Sequence, residues 1–265
     1  MRNLFKFLLF FALAFTLKAQ VKVIDSDGLH FKSLIASFYE PKMGLMKYFD
    51  RNSLKVDIGN SLDLFEFNLN RIDLTLGVDF FAYTLVNNHG FLVLRVEAID
   101  GFFGGNLSAS KDELSARLRI LHRSAHLVDE YGELGRKPFP FTREFADLVF
   151  SFAGKNFRAY GGVSYVFRTK PSDVKKFHFQ SGFEFFKVLS ENFTFLKSKF
   201  LFIFASDLKF FGGVDAINFT SGFKFGRWNS RGIFLYVVYY SGFDIYGQYF
   251  NLKRNFGGLG FSFEF

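Results

Sequence analysis

The chain of 265 residues has no cysteine, which removes disulfides, thiol chemistry and attachment of lipid through sulfur together. Proline is nearly missing, with 4 residues, while phenylalanine supplies 44. An aromatic-rich, proline-poor mixture favours strands over helices and over disorder. Beyond the first twenty residues no apolar run reaches the roughly 18 that a membrane-crossing helix needs. The longest runs, at 200–204 and 233–240, are strand-sized. A clustered basic stripe is also lacking. The full chain carries a formal charge of +8, and without Arg2, Lys6 and Lys18 its 33 basic residues fall to 30 against 25 acidic ones. So modest and scattered an excess does not point to nucleic acid as a partner; attraction to anionic lipid headgroups fits better.

What is present at the N-terminus explains the compartment. Arg2 and Lys6 precede an apolar run at 7–17 broken only by Thr16, and Lys18-Ala19-Gln20 ends it. This is the layout of a secretory signal peptide, expected at 1–19 with cleavage after Ala19. Leu17, three positions before that cut, departs from the small-residue rule. The apolar core of about eleven residues is too short for a retained spanning anchor, the alternative reading. Residues 20–41 are expected as a periplasmic segment, and 42–265 as the folded domain.

That domain alternates apolar and polar residues in segments separated by turn residues. Strands are expected near 42–49, 53–66, 71–84, 91–107, 112–127, 143–153, 157–168, 176–187, 198–209, 216–226, 232–241 and 256–265. Twelve antiparallel strands make a transmembrane β-barrel of the outer-membrane type, with both termini on the periplasmic side, short turns there and the longer loops, 128–142 and 242–255, at the outer end. Ten or fourteen strands are the alternative counts, and composition alone also allows a soluble all-β domain.

Side-chain parity gives the sharper expectation. In the fifth segment Arg117, Arg119 and Arg123 occupy odd positions, with Leu118, Ile120, His122, Ser124 and His126 between them. Neighbours along a strand point to opposite faces, and a lipid-facing arginine at mid-bilayer costs about 2–4 kcal/mol. The arginine face is therefore the lumen. In 71–84 the residues Asp73 and Asp79 lie opposite an apolar row, and in 91–99 so do Arg95 and Glu97, so acidic and basic groups share one interior. An ion-pair network filling a narrow barrel is the favoured reading; an ion-selective channel is the other.

The chain ends with apolar residues alternating to the last position: Leu259-Gly260-Phe261-Ser262-Phe263-Glu264-Phe265. This resembles the terminal strand of outer-membrane barrels, and the resemblance implies that Phe265, with Phe263 and Phe261, is read by the barrel-assembly machinery. A broader likeness rests on residues 115–130 (SARLRILHRSAHLVDE), 143–148 (REFADL), Tyr160-Gly161-Gly162 and Tyr246-Gly247-Gln248-Tyr249. In that order they resemble bacterial outer-membrane proteins grouped as a domain of unknown function, number 1207. The resemblance implies exposure and fold, and no activity.

Candidate chemistry centres on His122-Arg123-Ser124. A spacing of two puts imidazole and hydroxyl on one face of one strand, about 6–7 Å apart at the backbone. By parity that face looks outward, at the outer-leaflet boundary. A hairpin symmetric about residue 134 would set Ser124 opposite Glu144, making Ser124 a nucleophile, His122 a general base and Glu144 its orienting carboxylate. The His-x-Ser spacing is similar to that of outer-membrane phospholipase A and lipid A deacylase, and only His122 and Ser124 match. Ala125-His126 stand where the phospholipase has Asn-Gly, and its orienting group is an amide. The competing reading makes His122 and His126 part of a polar-aromatic girdle at the membrane rim. His126, Tyr246 and Gln248 are candidate ligand-binding residues, although packing of the last loop over the barrel mouth explains Tyr246 and Gln248 more simply. His122 with His126 provides too few ligands for a structural zinc, so no metal or other cofactor is expected. Two function classes follow: a structural or narrow-channel surface barrel, or an outer-leaflet lipid esterase.

Overall fold

The computed structural model describes residues 22–23, 29–69, 71–88, 90, 93–128, 136–172, 174–193, 198–210, 214–228 and 230–264. The expected signal peptide and Phe265 lie outside these. A two-residue strand, β1 (Lys22–Val23), is followed by β2 (Met43–Tyr48), β3 (Ser53–Leu69), β4 (Ile72–Asn88), β5 (Leu94–Lys111), β6 (Leu114–Leu127) and β7 (Phe141–Ala153). The chain continues through β8 (Phe157–Lys170), β9 (Phe177–Phe193), β10 (Ser198–Phe210), β11 (Val214–Gly226), β12 (Gly232–Phe243) and β13 (Lys253–Glu264). From β2 to β13 each strand pairs antiparallel with the next, and β13 returns to β2, Phe261 facing Leu45, to close the barrel. Closure removes the full-length unpaired edges of an open sheet, leaving part of β3 uncovered by β2. The short β1 pairs with β3 at Lys22–Glu66, on the edge that β2 is too short to cover.

All twelve expected barrel strands are present, but several run further than their apolar pattern. β5 continues to Lys111, so the turn expected at 108–111 shrinks to Asp112 and Glu113, with Asp112 at φ 52°. β9 extends to Phe193, past the expected end of that strand at 187. In both cases ladder hydrogen bonds hold polar residues in strand beyond the point where hydrophobic alternation stops.

Side chains sort by parity. Ile58, Leu62, Phe80, Phe103, Ile120, Phe150, Val237 and Leu259 stand exposed on the outer wall. Arg117, Arg119 and Arg123 are each 2 % exposed and point inward, as their spacing requires. Inside, Arg117 donates to Glu40 at 2.5 and 3.0 Å. Arg119 meets Asp147 at 2.6 Å, Arg123 meets Asp100 at 2.6 Å, and Arg158 meets Glu184 at 2.7 Å. Lys55 pairs with Asp57, and Lys224 with Glu264.

Glu40 belongs to the segment 20–41 expected to precede the barrel on the periplasmic side. Beyond β1, the described part of that segment, residues 29–41, lies within the barrel as a strap. Leu34 and Ala36 are fully buried, the Ile35 N–H donates to Glu184 at 2.8 Å, and Arg158 donates to the carbonyls of Lys32 and Ser33. The correction has a physical cause. Lumen charges need partners, and the strap supplies backbone carbonyls and Glu40 that the wall alone does not.

The loop between β12 and β13 also turns inward. Tyr246, Gln248 and Tyr249 are at most 1 % exposed. The Gly247 N–H donates to Asp100, and Arg123 donates to the Ile245 carbonyl at 2.6 Å. A Cβ on Gly247 would come within 2.6 Å of Ala125 and Phe141, so only glycine lets the loop approach the wall this closely.

Candidate active site

His122 and Ser124 sit on β6 with their side chains on the outer wall, between the buried Leu121, Arg123 and Ala125. The next strand, β7, brings Glu144 directly opposite His122, whereas Ser124 faces Thr142. The hairpin symmetry expected about residue 134 is thus corrected to 133. The ion pair inside explains the choice: this register sets Arg119 opposite Asp147, while the expected one would have faced Arg119 with Val149. A shift of one residue between the paired positions would have turned the arginines outward; a shift of two keeps every face and changes only the partners.

The result joins base and orienting group more closely than the spacing suggested. His122 Nδ1 lies 3.6 Å from Glu144 Oε1, with both side chains a little under one-third exposed. The same carboxylate oxygen lies 3.6 Å from Arg168 on β8. At this distance the imidazole and carboxylate form an ion-pair contact and must close by about 0.6 Å to share a hydrogen bond. On the other side Phe103 of β5 stacks on His122, with ring centroids 4.7 Å apart and a tilt of 36°. Ring and carboxylate together hold the imidazole from both neighbouring strands.

Ser124 has a different setting. Its neighbour on β5 is Gly101, and a Cβ built there would meet only the Ser124 hydroxyl, at 3.8 Å. The serine therefore borders a hollow on the outer wall in which its oxygen is reachable. Among the described residues no hydrogen bond joins Ser124 to His122. Two positions on one strand face stand about 6–7 Å apart at the backbone, a span that serine and histidine side chains bridge by rotation.

The remaining candidates separate. His126 lies on the same face as His122 and Ser124, exposed, opposite Ile99. Gln248 donates to the carbonyls of Ala125 and Phe139, both at 2.8 Å, and accepts from the Phe139 N–H at 3.3 Å. Tyr246 bonds Tyr48 and the Thr84 carbonyl, each at 3.2 Å. Tyr246 and Gln248 thus spend their polar atoms pinning the loop to the wall. Phe261 and Phe263 lie on β13, their rings 5.7 Å apart edge to face, with Phe263 at 43 % exposure. Three neighbours of the site, Phe103, Gly101 and Arg168, were not anticipated. The turn at 112–113 would have revealed the first two, because it sets the β5–β6 register.

Residues 55–265 match the family described as "Protein of unknown function (DUF1207)". The comparison with curated proteins found no match. Among solved structures the barrel is similar to outer membrane phospholipase A from Escherichia coli, with a TM-score of 0.54 and 11 % identity, covering 89 % of this chain and 94 % of that one. An active-site mutant of the same enzyme at pH 6.1 aligns with a TM-score of 0.55 and 12 % identity over the same shares. At this identity the likeness is one of fold.

Proposed function

For a chain that belongs to the DUF1207 family, whose description assigns no activity, function has to come from the wall itself, and we propose an outer-membrane lipid esterase acting through Ser124, His122 and Glu144. The observation that carries the reading is the approach of the His122 Nδ1 to the Glu144 carboxylate on the outward face that Ser124 shares. The broad apolar belt of the outer wall supports residence in a bilayer, and the even strand count puts both termini on the periplasmic side, with residues 1–19 as the export signal. In that orientation the site lies towards the outer leaflet, where ester bonds of lipids run past the wall. The fold shared with an outer membrane phospholipase supports the same compartment and substrate class.

The chemistry follows from the three groups. Glu144 holds the Nδ1 proton and leaves the lone pair on Nε2 to accept the Ser124 proton as the Ser124 Oγ attacks the ester carbonyl carbon. The imidazolium then protonates the departing alkoxide, which leaves an acyl-Ser124. Water, deprotonated by the same nitrogen, cleaves this ester, releases the fatty acid and restores the hydroxyl.

The interior favours a second role without chemistry. Strap, ion pairs and inward loop obstruct the lumen, so the barrel acts as a support for its wall, and planar-bilayer recordings should show no conductance steps. Its partners in this reading are outer-membrane lipids, together with the assembly machinery at the terminal strand. Refolded protein incubated with phospholipid and with lipid A should release fatty acid, and Ser124→Ala or His122→Ala should lower the rate at least about a thousandfold, ~4 kcal/mol. No release by the wild type, or equal release by both variants, removes the esterase and leaves the structural barrel.

A further inference from the structure

Within the barrel, at the end carrying the longer loops, a cavity of about 440 Å³ remains between the strap and the loop joining β12 to β13. We infer that it binds a small organic acid, whose carboxylate or phosphate is held by Arg143 and Lys209. Arg143, on β7, is 9 % exposed, and among the described residues its Nε has no hydrogen-bond partner. The guanidinium lies over the Phe141 ring, 5.5 Å from its centroid. Directly opposite on β6 stands Arg123, another cation. That residue is fully engaged by Asp100, the Tyr39 hydroxyl and the Ile245 carbonyl, and it has no anion to share.

Every other interior guanidinium described above has a carboxylate. Buried cations left without one are strongly unfavourable, so the Arg123–Arg143 pair asks for a second anion. The cavity's own carboxylates do not provide it. Asp147 serves Arg119, Asp244 serves Arg254, and Asp207 accepts from Tyr160 and Gln180. Asp215 also lines the cavity with one oxygen unpartnered among the described residues, but it forms no ion pair with Arg143. Lys209 also lines the cavity, its ammonium 3.5 Å above the Tyr39 ring. A planar guanidinium beside a point charge suits an oxyanion. Phe145, Tyr240 and Phe250 supply apolar wall for the rest of the molecule, and the volume falls within the range of about 300–1,000 Å³ usual for small-molecule sites.

Calorimetric titration of the full barrel in detergent with benzoate, phenyl phosphate, inorganic phosphate and benzyl alcohol tests this, with protein-free micelles as the blank. The expected result is saturable binding of benzoate or phenyl phosphate, weaker binding of inorganic phosphate and none of benzyl alcohol. Arg143→Gln should weaken the organic anions at least tenfold and Lys209→Gln several-fold. Arg143→Lys should keep part of the affinity, and Arg231→Gln, exposed and outside the cavity, should change nothing. Absence of saturable binding to the wild type overturns the inference. So does equal affinity in folded Arg143→Gln, or benzyl alcohol binding as well as the anions. Because the cavity is separate from the outer wall, Ser124→Ala should bind these anions like the wild type, whatever becomes of the esterase.

Discussion

The two faces of the β6–β7 hairpin carry the same kind of pair, a basic side chain opposite a carboxylate, with opposite consequences. On the inner face Arg119 and Asp147 meet at 2.6 Å, each at 3 % exposure or less. On the outer face, three residues along β6, His122 and Glu144 stand 3.6 Å apart and nearly one-third exposed. The inner pair is locked on several sides, by Glu40, the Tyr39 carbonyl and Ser164. Among the described residues, the outer pair has Arg168 and Phe103 about it. One register serves both, so the buried contact aligns the loose one. Rigidity inside positions groups outside that retain freedom to move during a reaction.

Substitutions can break this comparison. The largest expected effect is on the inner pair: Asp147→Ala leaves Arg119 with the Tyr39 carbonyl and with Glu40, at 3.3 Å, a carboxylate it shares with Arg117, and should lower stability by about 3 kcal/mol, read as a shift in the denaturant midpoint in lipid vesicles. A shift no larger than that of an outer-face variant would deny the inner pair its role. Next comes Glu144→Gln, which keeps the shape and removes the charge from His122. It should reduce fatty-acid release about 10–100-fold, ~1.4–2.7 kcal/mol in the barrier, while the unfolding midpoint stays in place. Loss of stability with unchanged turnover would make Glu144 structural. The smallest effect belongs to Arg168→Gln: its side chain is 73 % exposed, and such contacts contribute under about 1 kcal/mol. A midpoint change beyond that limit would show that the outer face is held as tightly as the inner one.

Much of this was legible in the residues. Arg117, Arg119 and Arg123 at alternate positions had one affordable orientation, and from it followed the outward face of His122 and Ser124. The pairing of Glu144 was not legible, because registers two residues apart bury the same side chains and differ only in which facing residues meet. The Arg119–Asp147 contact makes that choice, and it exists only once the hairpin is closed. The strap was hidden for another reason. Residues 29–41 show no period, and their burial reflects what the lumen charges require rather than what the segment prefers. Packing of Tyr246 and Gln248 against the barrel mouth was the simpler reading of their loop, but the partners that draw it inward, Asp100 and Arg123, were not legible.

Local alternation, turn residues and the lack of long apolar runs determined the closed antiparallel wall and which face of each strand looks out, since those follow from a two-residue period and the penalty on exposed charge. Tertiary structure decided the partners: His122 with Glu144, Glu40 with Arg117, and Arg143 with no carboxylate among the described residues. Contacts between residues distant in sequence depend on how the barrel closes and what enters it, and no local pattern along the chain encodes them.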